Sequence, residues 1–200
     1  MRKICKKEQS INRQKDIEKV FLGLLLKKDY EDITICEICQ VANIPRKAFY
    51  RYFETKEDVL DALIEHTLTG YTEYYEIKKQ ERRTLKFELK CYFDFWLDEP
   101  MKGLLTALKK SNLIEKLYSH SKQIALGGFV NTNKFLPEET SFNQKQIFNF
   151  AVMGLLSVMM DWFDNGCKQS TEEMALITSR LLNSPIFSNL DKLGIENDVK

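Results

Sequence analysis

The stretch TICEICQVANIPRKAFYRYFETK, residues 34–56, constrains the fold more than any other part of the chain. Thr34 with Glu37 three residues later is a capping-box pattern, in which hydroxyl and acid satisfy each other's backbone amides, so a helix opens there. Ile35, Ile38 and Ala42 keep one face of that helix apolar. It stops at Asn43, because asparagine tolerates the left-handed conformation that ends a helix. Pro45 excludes helical geometry at Ile44 and suits the first turn of a new helix. A second helix is therefore predicted from about Pro45 to Phe53. On it Ala48, Phe49 and Phe53 turn inward together, which leaves Arg46, Lys47, Tyr50 and Arg51 facing outward. Two short helices, a tight turn and a basic second helix predict a helix-turn-helix.

Two readings of that outward face compete. A helical hairpin with a solvated charged surface accounts for Arg46, Lys47 and Arg51, since such side chains usually sit in water. It accounts less well for Tyr50 and Tyr52, whose hydroxyls flank Phe49 and Phe53 and suit phosphate oxygens.

The order of Thr34, Ile38, Ala42, Ile44, Phe49, Tyr50, Tyr52, Phe53 and Lys56 resembles the N-terminal DNA-binding domain of the tetracycline-repressor (TetR) family of bacterial regulators. The resemblance runs from near Ile17 to about Leu68, and the F-Y-x-Y-F core followed by the helix-opening Lys56 is its most specific part. Asn43 stands where the family commonly has glycine. Pro45 stands where it often has a cap serine, so one hydroxyl able to meet a phosphate is absent. The resemblance implies an all-α homodimer that represses transcription from a near-palindromic operator and releases it when a small molecule binds. The second helix of a helix-turn-helix presents its N-terminal part to the major groove, so Arg46 and Lys47 are expected at base edges beside Pro45, with Ala48 adding a methyl contact. Tyr50 and Tyr52 are expected to hold phosphates. Thr34 and Lys56 join them at the openings of their helices, where backbone amides favour an anion. Arg51 is expected at the same face as a solvated neighbour.

Composition agrees with this placement. With four prolines, eight glycines, long 3.6-residue apolar patterns and little β-branched alternation, the 200 residues predict an all-helical chain with a sizeable core. Net charge is only +1, so the protein is no bulk polyanion binder. Arg2, Lys3, Lys6, Lys7, Arg13, Lys15, Lys19, Lys27 and Lys28 nevertheless outnumber Glu8, Asp16 and Glu18 at the end that carries the motif, as an electrostatic footprint requires. Five cysteines without a signal-peptide pattern predict free thiols in a cytoplasmic protein. The Cys36–Cys39 CxxC lacks further ligands at metal-site spacing and a strand to precede it, so both are read as small core positions; no metal or cofactor is expected.

In chain order, Met1 to about Gln9 reads as a basic arm. A first helix from about Ser10 carries Ile17, Val20, Phe21, Leu24 and Leu25 on one stripe and ends at Lys27 and Lys28. Thr55 with Asp58 repeats the capping pattern and opens a linking helix with Val59, Leu60, Leu63, Ile64, Thr67 and Tyr71 on one face. A break follows within Glu76 to Thr84. Further helices are predicted over Leu85–Asp98, Met101–Lys109 and Asn112–Leu126, with Pro100 ending the first of them. Gly127, Gly128 and the segment from Asn131 to Asn143 read as the longest loop. Ile147 to Phe163 is apolar almost all round but too short in its uncharged part to cross a bilayer, which needs about 20 residues. Gly166 ends that helix, and a last one runs over Thr171–Asn183.

The expected division is a helix-turn-helix domain at 1–56 and a helical effector-binding and dimerisation domain at 57–200. Ile147, Ala151, Leu155, Val158 and Trp162, with Met174, Ile177 and Leu181, are expected to form a four-helix dimer interface; burial at the centre of a single domain is the alternative. Tyr71, Tyr75, Tyr92, Phe93 and Trp96 are expected to line an effector pocket, against plain core packing. No glycine-rich phosphate loop, metal motif or nucleophile elbow occurs, and His66 and His120 are the only histidines. A sensor of this fold without useful DNA affinity, or a small-molecule-binding enzyme, are the remaining classes.

Overall fold

The computed structural model describes residues 8–78, 84–131 and 142–182. Among them the chain forms helices and no strand: α1 (Glu8–Leu25), α2 (Ile35–Val41), α3 (Arg46–Phe49), α4 (Lys56–Lys78), α5 (Leu85–Leu97), α6 (Glu99–Lys110), α7 (Ile114–Asn131), α8 (Phe142–Asp164) and α9 (Thr171–Leu182), with a 3₁₀ turn at Tyr30–Asp32. The expectations for Met1–Lys7, for residues 79–83 and 132–141 and for the tail from Asn183 lie outside the described residues, as does the side chain of Ile147.

Helix ends follow local chemistry. Thr34 Oγ1 accepts from the Glu37 amide at 3.2 Å. Thr55 and Asp58 bond reciprocally, Asp58 N to Thr55 Oγ1 at 3.1 Å and Thr55 N to Asp58 Oδ2 at 2.9 Å. Partial burial raises the Asp58 pKa, but the amides of Thr55 and Glu54 outweigh it and hold the carboxyl below its ordinary value. A second reciprocal box, Ser170 with Glu173, opens α9, whereas at Thr34 only the hydroxyl bond forms and the Glu37 carboxylate pairs with Lys28. At the C-termini, Asn43 (φ 50°), Asn112 (φ 55°) and Gly166 (φ 78°) take the left-handed position. Each is followed by an amide reaching back five residues: Ile44 to Cys39, Leu113 to Leu108 and Cys167 to Trp162, at 2.9, 2.8 and 3.0 Å.

Three boundaries beyond α4 differ from the sequence pattern. Pro100 lies in the first turn of α6, with Asp98 accepting from the Glu99 amide at 3.1 Å, so the proline opens α6 as much as it closes α5. Gly127 and Gly128 do not break α7, which continues to Asn131. A helical glycine costs only about 1 kcal/mol, and the packing of α7 on α8 is the competing influence. α8 correspondingly begins at Phe142.

One continuous core joins both expected domains. It runs from Ile17, Phe21 and Leu25 of α1 through Ile38, Phe49 and Phe53 to Leu60 and Ile64 of α4, then through Phe93, Leu104 and Leu117 to Met159, Trp162 and Met174. α4 packs on α1 on one side and on α5 and α7 on the other; α5 packs most extensively on α9. Lys116 of α7 reinforces this junction with ion pairs to Glu57 (2.6 Å) and Asp61 (3.1 Å) of α4.

Candidate nucleic-acid interface

Phe49 and Phe53, buried with their ring centroids 5.8 Å apart, hold the α2–α3 hairpin on the core. Their burial turns the opposite surface of α3 outward, and Pro45, Arg46, Lys47, Tyr50 and Arg51 are all exposed there. α3 is shorter than expected: after Phe49 the amides of Arg51 and Tyr52 bond three residues back, to Ala48 and Phe49, so the chain tightens into turns. Arg46 Nη2 donates to Tyr50 Oη at 3.3 Å, one helical turn away. That bond orients the guanidinium fork outward. Thr34, exposed at the start of α2, accepts the Glu37 amide and retains its own O–H for an external acceptor.

Three expectations at this face need correction. Ala48 is buried on the inward side of α3 with Phe49, so its methyl is not presented to a groove. Lys56 does not extend freely: its ammonium donates to the carbonyls of Tyr30 (2.7 Å) and Glu31 (3.1 Å) and lies 4.2 Å from the centre of the Tyr30 ring. The Thr55–Asp58 box occupies the amides of Glu54, Thr55 and Asp58, so at the start of α4 only those of Lys56 and Glu57 are left to meet an anion. Cys39 is buried as expected but Cys36 is exposed, since the two fall on adjacent faces of α2; no group of three or more metal-ligating side chains is assembled among the described residues. Sequence reading also missed Lys28, which bonds Glu37 and the Asp32 carbonyl and so ties the end of α1 to α2.

The expected pocket residues are brought together. Tyr71 lies 6.2 Å from Tyr75 and 6.1 Å from Tyr92, and Tyr92 lies 5.4 Å from Phe93 and 6.4 Å from Trp96, centroid to centroid. They form an aromatic layer between α4 and α5 in which rings pack on rings. Burial pushes the hydroxyls of Tyr71 and Tyr92 far above their ordinary pKa, and Tyr75 donates to Glu88 at 2.7 Å.

The residues expected at a dimer interface divide between core and surface. Trp162 is 3 % exposed, 5.3 Å from Phe93, and donates Nε1–H to the Gln169 carbonyl, so it belongs to the protomer's own core; Met174 is buried likewise. Ala151, Leu155 and Val158 are half-buried, the last two against that core. The open faces carry Phe150, Gly154 and Ser157 on α8 and Leu176, Ile177 and Leu181 on α9.

Residues 22–63 match the family model "Bacterial regulatory proteins, tetR family", and residues 98–184 match "Transcriptional regulator C-terminal region" of the same family. The chain belongs to the TetR family. Relatives of this TetR-family chain include the HTH-type dhaKLM operon transcriptional activator DhaS of Lactococcus lactis, 37 % identical over 59 residues, which are 30 % of this chain and 32 % of DhaS. The HTH-type transcriptional regulator YxbF of Bacillus subtilis is 32 % identical over 77 residues, 36 % of this chain and 20 % of YxbF. The chain thus spans about a third and a fifth of these relatives. The fatty acid degradation regulator FadR of Bacillus halodurans shares the fold at a TM-score of 0.57 with 16 % identity, over 85 % of this chain and 94 % of FadR. The dihydroxyacetone kinase operon activator DhaS does so at 0.56 with 19 % identity, over 89 % and 98 %. No helix among the described residues is long and apolar enough to cross a membrane.

Proposed function

We propose that this TetR-family chain is a cytoplasmic, sequence-specific DNA-binding regulator of transcription, working as a homodimer on a near-palindromic operator. Residues 1–56 carry the DNA contacts and residues 57–200 the dimer interface and effector site. The observation that carries the reading is the Arg46–Tyr50 pair: an exposed guanidinium, oriented by a hydroxyl one turn away, at the start of the second helix of a helix-turn-helix. An arginine fork in that position matches guanine O6 and N7. Lys47 stands beside it, while Thr34, Tyr50, Tyr52 and the amides opening α4 meet phosphates.

The aromatic layer of Tyr71, Tyr75, Tyr92, Phe93 and Trp96 lies where α4 meets the C-terminal helices, and an effector seated there would act on α4 directly. Such a ligand shifts the equilibrium only by its preference for the DNA-incompetent state. Release of a repressed operator is the reading for the sign of control; activation is the second reading, favoured by the DhaS relatives, which are activators by name.

Selecting bound duplexes from a random pool is the test. Recovery of a palindrome whose half-sites lie about one helical turn or more apart, ~34 Å or above, supports DNA binding and twofold symmetry together. A pool that yields no enriched sequence overturns the reading and leaves the sensor or enzyme classes.

A further inference from the structure

A groove of about 510 Å³ lies between the first two turns of α1 and the turn that follows α3. Its walls include Ser10, Asn12, Arg13 and Asp16 from α1, with Arg51 and Tyr52 opposite. These segments are 35 or more residues apart in sequence, so only the packing of α1 beneath the hairpin brings two arginines to one cleft. Arg13 Nη1 is 3.8 Å from Asp16 Oδ2, with both side chains more than half exposed (51 % and 67 %), a weak pair easily exchanged for a stronger anion. Among the described residues Arg51 has no ion-pair partner.

We propose that this groove seats a phosphodiester of the DNA backbone bordering the major groove that α3 enters, with Arg13 and Arg51 as its two cations. The assignment rests on the DNA-binding function proposed above and extends it to α1. Geometry favours a backbone phosphate over a base. α3 spans four residues, roughly 6 Å at 1.5 Å per residue, whereas the major groove is about 12 Å wide. Arg46 opens α3 and Arg51 and Tyr52 follow it, so the cleft lies at the end away from the base-reading arginine, where the chain meets the groove's edge. The chemistry fits as well. Phosphate oxygens only accept hydrogen bonds, and arginine forks, the hydroxyls of Ser10 and Tyr52 and the Asn12 amide are all donors. Asp16 is the exception. Its carboxylate can only repel a phosphate while competing for Arg13, and this predicts a gain of affinity when its charge is removed.

The test measures the full chain on a selected operator and on a scrambled duplex between 50 and 200 mM salt, after confirming that each variant melts as the wild type does. Arg13→Gln and Arg51→Gln should each lower affinity roughly tenfold for both duplexes. Each should also flatten the slope of log affinity against log salt, and the Arg13→Gln/Arg51→Gln double variant should flatten it by about 0.9, the value for one lost phosphate contact. Asp16→Asn should bind both duplexes severalfold tighter. A scan of operators carrying single methylphosphonates should find one position per half-site that weakens the wild type most, either single arginine variant less, and the Arg13→Gln/Arg51→Gln double variant not at all. Tight wild-type binding with an unchanged salt slope in both arginine variants, or weaker binding by Asp16→Asn, overturns the groove and leaves the function standing. A wild-type chain that enriches no duplex overturns the function, and the groove with it.

Discussion

The Lys56 ammonium lies 4.2 Å from the centre of the Tyr30 ring and donates to the Tyr30 carbonyl at 2.7 Å, fastening the start of α4 to the 3₁₀ turn between α1 and α2. A lysine that resembles a phosphate ligand in sequence is thereby also a clamp. Two charge-assisted bonds and a cation over an aromatic face should make Lys56→Ala lose about 1–3 kcal/mol of stability. Urea unfolding without DNA is the measurement, and an unchanged midpoint with an unchanged slope would remove the clamp from the account.

Arg46 and Tyr50 should separate base reading from orientation. Arg46→Ala is expected to cost ~1–3 kcal/mol on the selected operator and to relax preference at one position per half-site. Tyr50→Phe keeps the ring but removes the acceptor for Arg46 Nη2, so it should weaken the operator more than a scrambled duplex, though less than Arg46→Ala does. Equal losses on both duplexes for Arg46→Ala would place that residue among the phosphate contacts.

Features written in two or three neighbouring residues were legible in the sequence. Thr34 with Glu37, Thr55 with Asp58, the left-handed Asn43 and Gly166 each report a backbone bond closing within a few residues, and all occur in the structure. Directions set by packing were not legible. α8 is apolar around most of its circumference, so nothing in its own residues says that Trp162 turns toward Phe93 while Phe150 turns out. Lys56 with Tyr30, and Arg13 near Arg51, are separated by 26 and 38 residues and meet only once α1 has packed under the hairpin. Gly127 and Gly128 misled for the opposite reason: a local breaking tendency is weaker than the tertiary contacts α7 makes.

Alkaline titration should report the buried phenols. Burial raises the Tyr30 pKa from 10.0 to about 12 and raises Tyr71 and Tyr92 further. A group whose pKa is higher in the folded state contributes stability that is complete below its unfolded value and disappears as pH rises through the folded one. Unfolding free energy should therefore decline from about pH 10 upward. Tyr71→Phe should make the decline shallower, because its hydroxyl no longer has to ionise inside the aromatic layer. Parallel declines for the two proteins would show that Tyr71 contributes nothing to it.

Asn43 occupies the left-handed position that sets the angle between α2 and α3. Asn43→Gly should be neutral or slightly stabilising, while Asn43→Val should cost more than 1 kcal/mol, since a β-branched residue strains at positive φ. DNA affinity should fall with the valine beyond what the lost folded fraction explains, because Arg46 begins three residues later. Operator binding by Asn43→Val that tracks its folded fraction alone would uncouple the turn from recognition.

The open faces of α8 and α9 carry Phe150, 64 % exposed, with Ile177 at 43 % and Leu181 at 47 %. Large apolar side chains left exposed on these two helices are what a dimer interface would cover. A twofold dimer pairs the same patch on both protomers, so each substitution acts twice. Ile177→Glu should place two carboxylates in the interface and shift the protein toward monomer at micromolar concentration, as sedimentation velocity would read directly. The monomer should also lose most of its affinity for a two-half-site operator, since each half is then bound alone. Trp162→Phe supplies the contrast: it disturbs packing against Phe93 and removes the bond to Gln169, so it should lower the melting temperature yet leave the sedimenting species a dimer. A wild-type protein that sediments as a monomer removes the interface altogether. A Trp162→Phe variant that dissociates while melting normally would return Trp162 to the dimer surface.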